Sequence, residues 1–145
     1  MPVKSKKSKD IIELMKIKAR AKKRKVVLPE GTEPRMIEAA KKIIAEKIAG
    51  VTLLGNKDEI SRLAKKIGLK TDLVEIIDPA ISEHLPSFAQ ELYELRKEKG
   101  LTEQEALKTM KNVLYFGAMM VRRGMADGSV AGSINTTGDV LRAAI

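Results

Sequence analysis

Lys25-Val-Val-Leu-Pro-Glu-Gly-Thr-Glu-Pro-Arg35 decides the fold. The apolar run that starts at Lys25 reads as a short strand ended by Pro29. Glu30–Arg35 reads as a turn, with Thr32 as the expected N-cap of the next helix and Pro34 near its first position. Met36, Ile37, Ala40, Ile43, Ile44 and Ile48 then follow helical spacing. The same unit repeats at once. Gly50-Val-Thr-Leu-Leu-Gly55 predicts a second buried strand, Asn56 the cap of a helix over 57–67, and Gly68 its stop. Asp72–Asp78 predicts a third strand, closed by Pro79. This rhythm predicts an α/β protein, a three-layer α/β/α arrangement around a mostly parallel sheet.

The remaining segments are read the same way. Residues 83–99 predict one helix ending at Gly100, and Thr102-Glu-Gln-Glu105 is a capping box opening a helix to about Lys111. An apolar helix follows from Val113 to Arg123, with Met119 and Met120 as core filler. Gly128-Ser-Val-Ala-Gly132 predicts a fourth buried strand. Ligands of parallel sheets sit beyond the carboxyl ends of strands. Pro29-Glu-Gly-Thr, Gly55-Asn and Gly132-Ser-Ile-Asn-Thr-Thr are thereby expected on one rim. Ser133, Asn135, Thr136, Thr137 and Asp139 lie between a strand and a helix, with Thr137 or Asp139 as the expected cap. Free N–H groups at a helix start beside Arg142 suit a phosphoryl or acyl oxygen.

The chain has 145 residues, 43% hydrophobic and 32% charged, the balance of one soluble domain. Aromatics make up only 3%, so the core must be aliphatic. There is no Cys, which excludes disulfides and Cys-ligated metals. No apolar run approaches the ~20 residues of a membrane span. The N-terminus lacks the apolar core of a secretory signal, and a cytoplasmic location is expected. Residues 1–25 hold eleven of the 28 Lys and Arg against two acidic residues, so this segment supplies the whole net charge of +9. Without interleaved aromatics it does not resemble a base-stacking surface, and nucleic acid is not expected. A basic helix over about 8–22 is, with Ile11, Ile12, Leu14, Met15 and Ile17 as its apolar stripe.

Nucleotide fingerprints of the Gly-x-x-x-x-Gly-Lys-Ser/Thr or Gly-x-Gly-x-x-Gly kind do not occur. The single His, His84, reads as a surface loop residue before a helix, since a lone His makes a poor metal site. Tyr93 and Arg96 lie three apart and share a helix face.

Five stretches, 26–35, 50–56, Leu92-Tyr-Glu-Leu-Arg-Lys-Glu-Lys-Gly100, Tyr115-Phe-Gly-Ala-Met-Met120 and 127–142, resemble in order and spacing the phosphate acetyltransferase (phosphotransacetylase) and phosphate butyryltransferase family. The resemblance covers nearly all of 24–145 and only the family's N-terminal part. It implies an isocitrate-dehydrogenase-like fold of two α/β domains, incomplete at the C-terminus of this chain. Residues 25–145 would be the first domain, preceded by the basic helix 1–24. It implies acyl transfer, acetyl-CoA + phosphate = acetyl phosphate + CoA, in a cleft between the domains of a homodimer. Coenzyme A, phosphate and acetyl phosphate are then substrates and partners, with no resident cofactor, metal or membrane. Arg96 matches the Arg of Tyr-Glu-Leu-Arg, and Arg142 the Arg after Asp-x-Leu; both look like catalytic arginines. Ser133, Asn135, Thr136 and Thr137 fall on the substrate-binding loop. The loop departs from the common family pattern at Ser133, Asn135 and Gly138, which bears on its hydrogen bonds and acyl preference. The family's Ser-Arg pair and general-base Asp match no residue here, so the isolated chain is expected to be inactive. A butyryltransferase, or a non-catalytic binding domain of the same fold acting through the basic helix, are the alternative readings.

Overall fold

The computed structural model describes residues 6–144. The elements run α1 (Lys6–Lys22), β1 (Lys25–Leu28), α2 (Pro34–Ala45), β2 (Gly50–Leu54), α3 (Lys57–Ile67), β3 (Glu75–Ile77), α4 (Leu85–Arg96), α5 (Glu103–Met110), α6 (Val113–Arg122), β4 (Gly128–Ser129) and α7 (Thr137–Ala144). The sheet is parallel throughout, in the order β3-β2-β1-β4. Val26 pairs with Val51, Leu28 with Leu53, and Leu53 with Ile76.

Alternate residues of the central strands point to opposite faces, and each face is covered. Leu28, Val51 and Leu53 pack with Ile37 and Ala40 of α2 and Ile60 and Ala64 of α3. Val27 and Leu54 pack with α4, α5 and α6, where Phe88, Met110, Phe116 and Met120 are buried. The core is not purely aliphatic as composition suggested: both Phe residues are in it, and the rings of Phe88 and Phe116 meet at 4.9 Å in a tilted arrangement. The three-layer α/β architecture expected from the strand–helix rhythm is therefore present. Met119 and Met120 are core residues as expected.

Local signals set most helix ends. The Asn56 side chain accepts the Glu59 N–H at 3.0 Å, and Gly68 closes α3 in the left-handed region. Thr102 and Glu105 form the full capping box of α5. Other ends differ from the sequence reading. Glu33, not Thr32, stands at the N-cap of α2, and its side chain makes no cap bond. Residues 71–73 form a 3-10 turn, so the third strand starts only at Glu75. The helix expected over 83–99 is α4, followed by a 3-10 turn over 97–99. His84 stands at the start of α4, half-buried and stacked on Phe88.

The largest departure concerns the fourth strand. Only Gly128–Ser129 pair with β1, at the sheet edge, and neither residue is buried. Beyond them, Val130, Ile134 and Leu141 are more than half exposed. Small residues resemble a buried strand in sequence, but here they lie where few neighbours cover them. Helix α1 is tied to the end of α2, through Lys16 Nζ to Glu46 at 2.8 Å and Arg20 Nε to the Glu46 carbonyl at 2.7 Å. Its apolar stripe, Ile11, Ile12, Leu14, Met15 and Ile17, is more than half exposed. Lys4, the one basic residue before Lys6, lies outside the described residues.

Candidate functional site: a loop folded around a carboxylate

Glu30 follows β1 and Pro29 directly, and its side chain is only 2% exposed. A buried carboxylate needs donors, and the 132–135 loop supplies them. Oε1 accepts the N–H of Gly132 at 2.7 Å and of Ser133 at 2.9 Å. Oε2 accepts the N–H of Ile134 at 2.7 Å, the N–H of Asn135 at 2.8 Å and Asn135 Nδ2 at 3.0 Å. Burial by itself would raise the Glu30 pKa. The N–H groups of Ile134, Asn135, Ser133 and Gly132 outweigh it and lower the value from 4.5 to about 2. Arg35 holds the loop from its other side, with Nη2 donating to the Ser133 carbonyl at 3.0 Å and Nε to Glu33 at 2.8 Å.

These bonds correct one expectation. The loop forms an anion cradle, but Glu30 occupies it. The N–H groups of 132–135 are not free for a ligand. The unclaimed donors lie further along: the N–H groups of Thr136, Thr137 and Gly138 have no acceptor among the described residues. The helix cap also moves. Thr136, rather than Thr137 or Asp139, caps α7, with Oγ1 accepting the Asp139 N–H at 3.1 Å. Asp139 instead accepts from Arg142 Nη1 at 2.8 Å.

The sequence-derived site residues separate into three groups. Ser133 and Asn135 give their backbone N–H groups to Glu30. Thr136 and Thr137 begin α7 and are exposed. The Arg142 side chain is 73% exposed. A Cβ placed on Gly138 would lie 3.5 Å from Arg142 Nη2, so the guanidinium folds back over the first turn of α7. Arg96 arrives from α4, its Nη2 donating to the Arg142 carbonyl at 3.4 Å and its guanidinium 5.8 Å from the Tyr115 ring centre. A groove of about 460 Å³ runs from Arg96 and Tyr115, past Lys99 and Arg122, to Ala143 and Ala144. Residues 46 positions apart thus meet.

Glu30 and Arg35 were missed as site residues. The available signal was an acidic residue wedged between Pro29 and Gly31 at the end of a buried strand, on the rim already assigned to ligands. Among the described residues no group of acidic and His side chains could hold a metal ion.

Acid should open this loop. The Glu30 value is depressed in the folded state, so its contribution is complete above about 4.5 and is lost as pH falls toward about 2. Arg35 is the cation whose charge faces it. Amide protection at Gly132–Asn135, taken relative to the intrinsic exchange rate at each pH, should be constant near neutral pH and fall in that acid window. Protection that stays constant down to pH ~2 would show that the carboxylate does not hold the loop.

A parallel four-stranded sheet with an anchored polar loop and a helix start beyond β4 defines an α/β protein. Its family is phosphate acetyl/butaryl transferase, to which the chain belongs: the family's sequence model matches residues 10–145. The chain is 49% identical over 134 residues to the phosphate acetyltransferase of Thermoanaerobacterium thermosaccharolyticum, covering 92% of this chain and 40% of that relative. Against the phosphate acetyltransferase of Acetivibrio thermocellus the identity is 46%, covering 88% and 38%. The structure matches a phosphotransacetylase from Streptococcus pyogenes with a TM-score of 0.89 at 32% identity, and EutD phosphotransacetylase from Staphylococcus aureus with 0.84 at 38%. Each of these structural matches covers 94% of this chain and 41% of the other. The chain spans about 40% of the length of these two curated relatives.

Proposed function

We propose that this chain is the N-terminal part of a phosphate acetyltransferase and forms the phosphate- and acyl-positioning wall of its active site. In this reading, residues 25–145 are the first α/β domain and 1–24 a basic helix attached to it. The whole enzyme is a cytoplasmic homodimer that interconverts acetyl-CoA plus phosphate with acetyl phosphate plus coenzyme A. Arg142 and Arg96 act on the reacting groups, and Ser133, Asn135, Thr136 and Thr137 shape the substrate loop. The observation that carries the reading is the exposed Arg142 fork beside the unclaimed N–H groups of Thr136–Gly138.

The chemistry asks for such a surface. In the direction that consumes acetyl phosphate, the coenzyme A thiolate attacks its carbonyl carbon and forms the C–S bond of acetyl-CoA. The C–O bond to phosphate breaks, and phosphate leaves with the electron pair. Arginine forks and backbone N–H groups stabilise the phosphate oxygens and the oxyanion of the tetrahedral intermediate. A wall of donors positions and stabilises; deprotonation of the thiol is assigned to none of its residues. Turnover is expected only with a facing domain in place, which would also cover Val130, Ile134 and Leu141. The Arg96 groove, bordered by cations and apolar side chains, suits the anionic and apolar parts of coenzyme A.

Titration with inorganic phosphate tests the reading. Saturable chemical-shift changes should be confined to the amides of 136–142, and Arg142→Ala should weaken binding about tenfold or more. No saturable change in the unaltered chain would sink it.

A further inference from the structure

We propose that Glu30 is a positioning residue for the substrate loop: its carboxylate fills the concavity of 132–135 and so determines where Thr136, Thr137 and Arg142 stand. The proposal rests on the phosphate-binding reading above and adds a residue that reading does not contain.

Five donors converge on one side chain from a segment more than a hundred positions away in sequence. Few other contacts hold that segment. Its strand, β4, pairs over two residues only, the Val130 N–H adds one bond to the Val27 carbonyl at 3.0 Å, and Val130 and Ile134 bury little surface; beyond the loop, α7 rests on α6. Arg35 adds a single bond to the Ser133 carbonyl. Without the carboxylate, four consecutive N–H groups would need other acceptors, and the backbone would rearrange to find them. Because Asn135 is the last residue held, the next one, Thr136, starts α7 from a fixed point. The first turn of that helix carries the unclaimed N–H groups, and Arg142 folds back over it.

Filling the cradle with a fixed negative charge has a second consequence. It keeps a ligand anion out of the 132–135 concavity and directs it to the helix start. Glu30 thus sets both the shape of the loop and the place at which phosphate is received. It touches no ligand itself.

The variant Glu30→Gln separates charge from volume. Whichever way the carboxamide lies, its NH2 group replaces an oxygen that accepts at least two backbone N–H groups. In the full chain, exchange of the Gly132–Asn135 amides should quicken about tenfold or more while the β1 and β2 amides keep their protection. The Kd for inorganic phosphate should rise about tenfold or more, because the helix start is no longer held in place. Glu30→Asp, which keeps the charge one methylene short, should recover part of both. Unchanged phosphate affinity in a folded Glu30→Gln protein overturns the proposal, and so does loop protection that persists. Equal loss of protection in loop and sheet also overturns it, because Glu30 would then only stabilise the fold. If the unaltered chain binds no phosphate, the site reading itself falls. The loop amides then still decide whether Glu30 holds the loop. Should Glu30→Gln not fold, acid titration of the unaltered chain takes its place. The Glu30 carboxyl signal and the loop amides must share one midpoint, and separate midpoints overturn the proposal.

Discussion

Replacing Arg142 by Ala in a full-length enzyme that carries this domain should lower kcat/KM about 10²–10³-fold and leave the melting temperature within about 2 °C. The two effects separate because the side chain is 73% exposed. Among the described residues its ion-pair partner is Asp139, three residues earlier on the same helix. An exposed pair of that kind contributes only a few tenths of a kcal/mol. The cap of α7 belongs to Thr136 and survives the substitution. So does the bond from Arg96, since it ends on the Arg142 carbonyl and not on its side chain. What disappears is a planar cation over the helix start, the place at which the proposed reaction would develop charge on the departing phosphate. Most of the loss should fall in kcat if the fork acts in the transition state. Arg142→Lys should recover little, because one ammonium cannot reproduce a fork. Steady-state kinetics in both directions, paired with thermal melts, check this; unchanged kinetics would refute the assigned role.

The second large effect is expected at Gly31, and it falls on stability. A Cβ at this position would lie 2.5 Å from the Leu54 carbonyl oxygen, 3.0 Å from the Leu54 nitrogen and 3.1 Å from Ile60 Cδ1. Two of these atoms are backbone, and the Gly31 N–H is itself bonded to the same carbonyl at 3.0 Å. The turn cannot retreat without breaking that bond, and β2 cannot retreat without leaving the sheet. Gly31→Ala should therefore cost about 2–3 kcal/mol, roughly 10 °C in melting temperature for a domain of this size. The loop around Glu30 should loosen with it, since Glu30 is the adjacent residue. Gly128→Ala is the control: no atom lies within 4 Å of its added Cβ, and the melt should barely move. Equal melting temperatures for both variants would show that the close approach at Gly31 is relieved at little cost.

Much of the fold was legible because the deciding signals are local. Alternating apolar runs and turn residues mark β1, α2, β2 and α3, and the caps at Asn56 and Thr102 need only neighbours three residues away. The misread boundaries share a cause. Thr32 and Thr137 are good capping residues by type, yet the backbone places Glu33 and Thr136 at those points. Gly128-Ser-Val-Ala-Gly132 has the small apolar character of a buried strand, but burial depends on what lies across from it. The candidate site divides in the same way. Arg96, Arg142 and the polar loop could be picked out from residue types and family resemblance.

The sequence by itself determined the α/β class, the order of its elements and the family, since periodicity, punctuation and motif spacing act over a few residues at a time. Tertiary structure alone decided that Glu30 fills the 132–135 cradle, that Arg35 clamps its far side, and that Arg96 reaches the Arg142 carbonyl. Those pairings join positions 46 to 105 apart. No local preference encodes them: a carboxylate acquires its donors only when a parallel sheet brings the ends of β1 and β4 side by side.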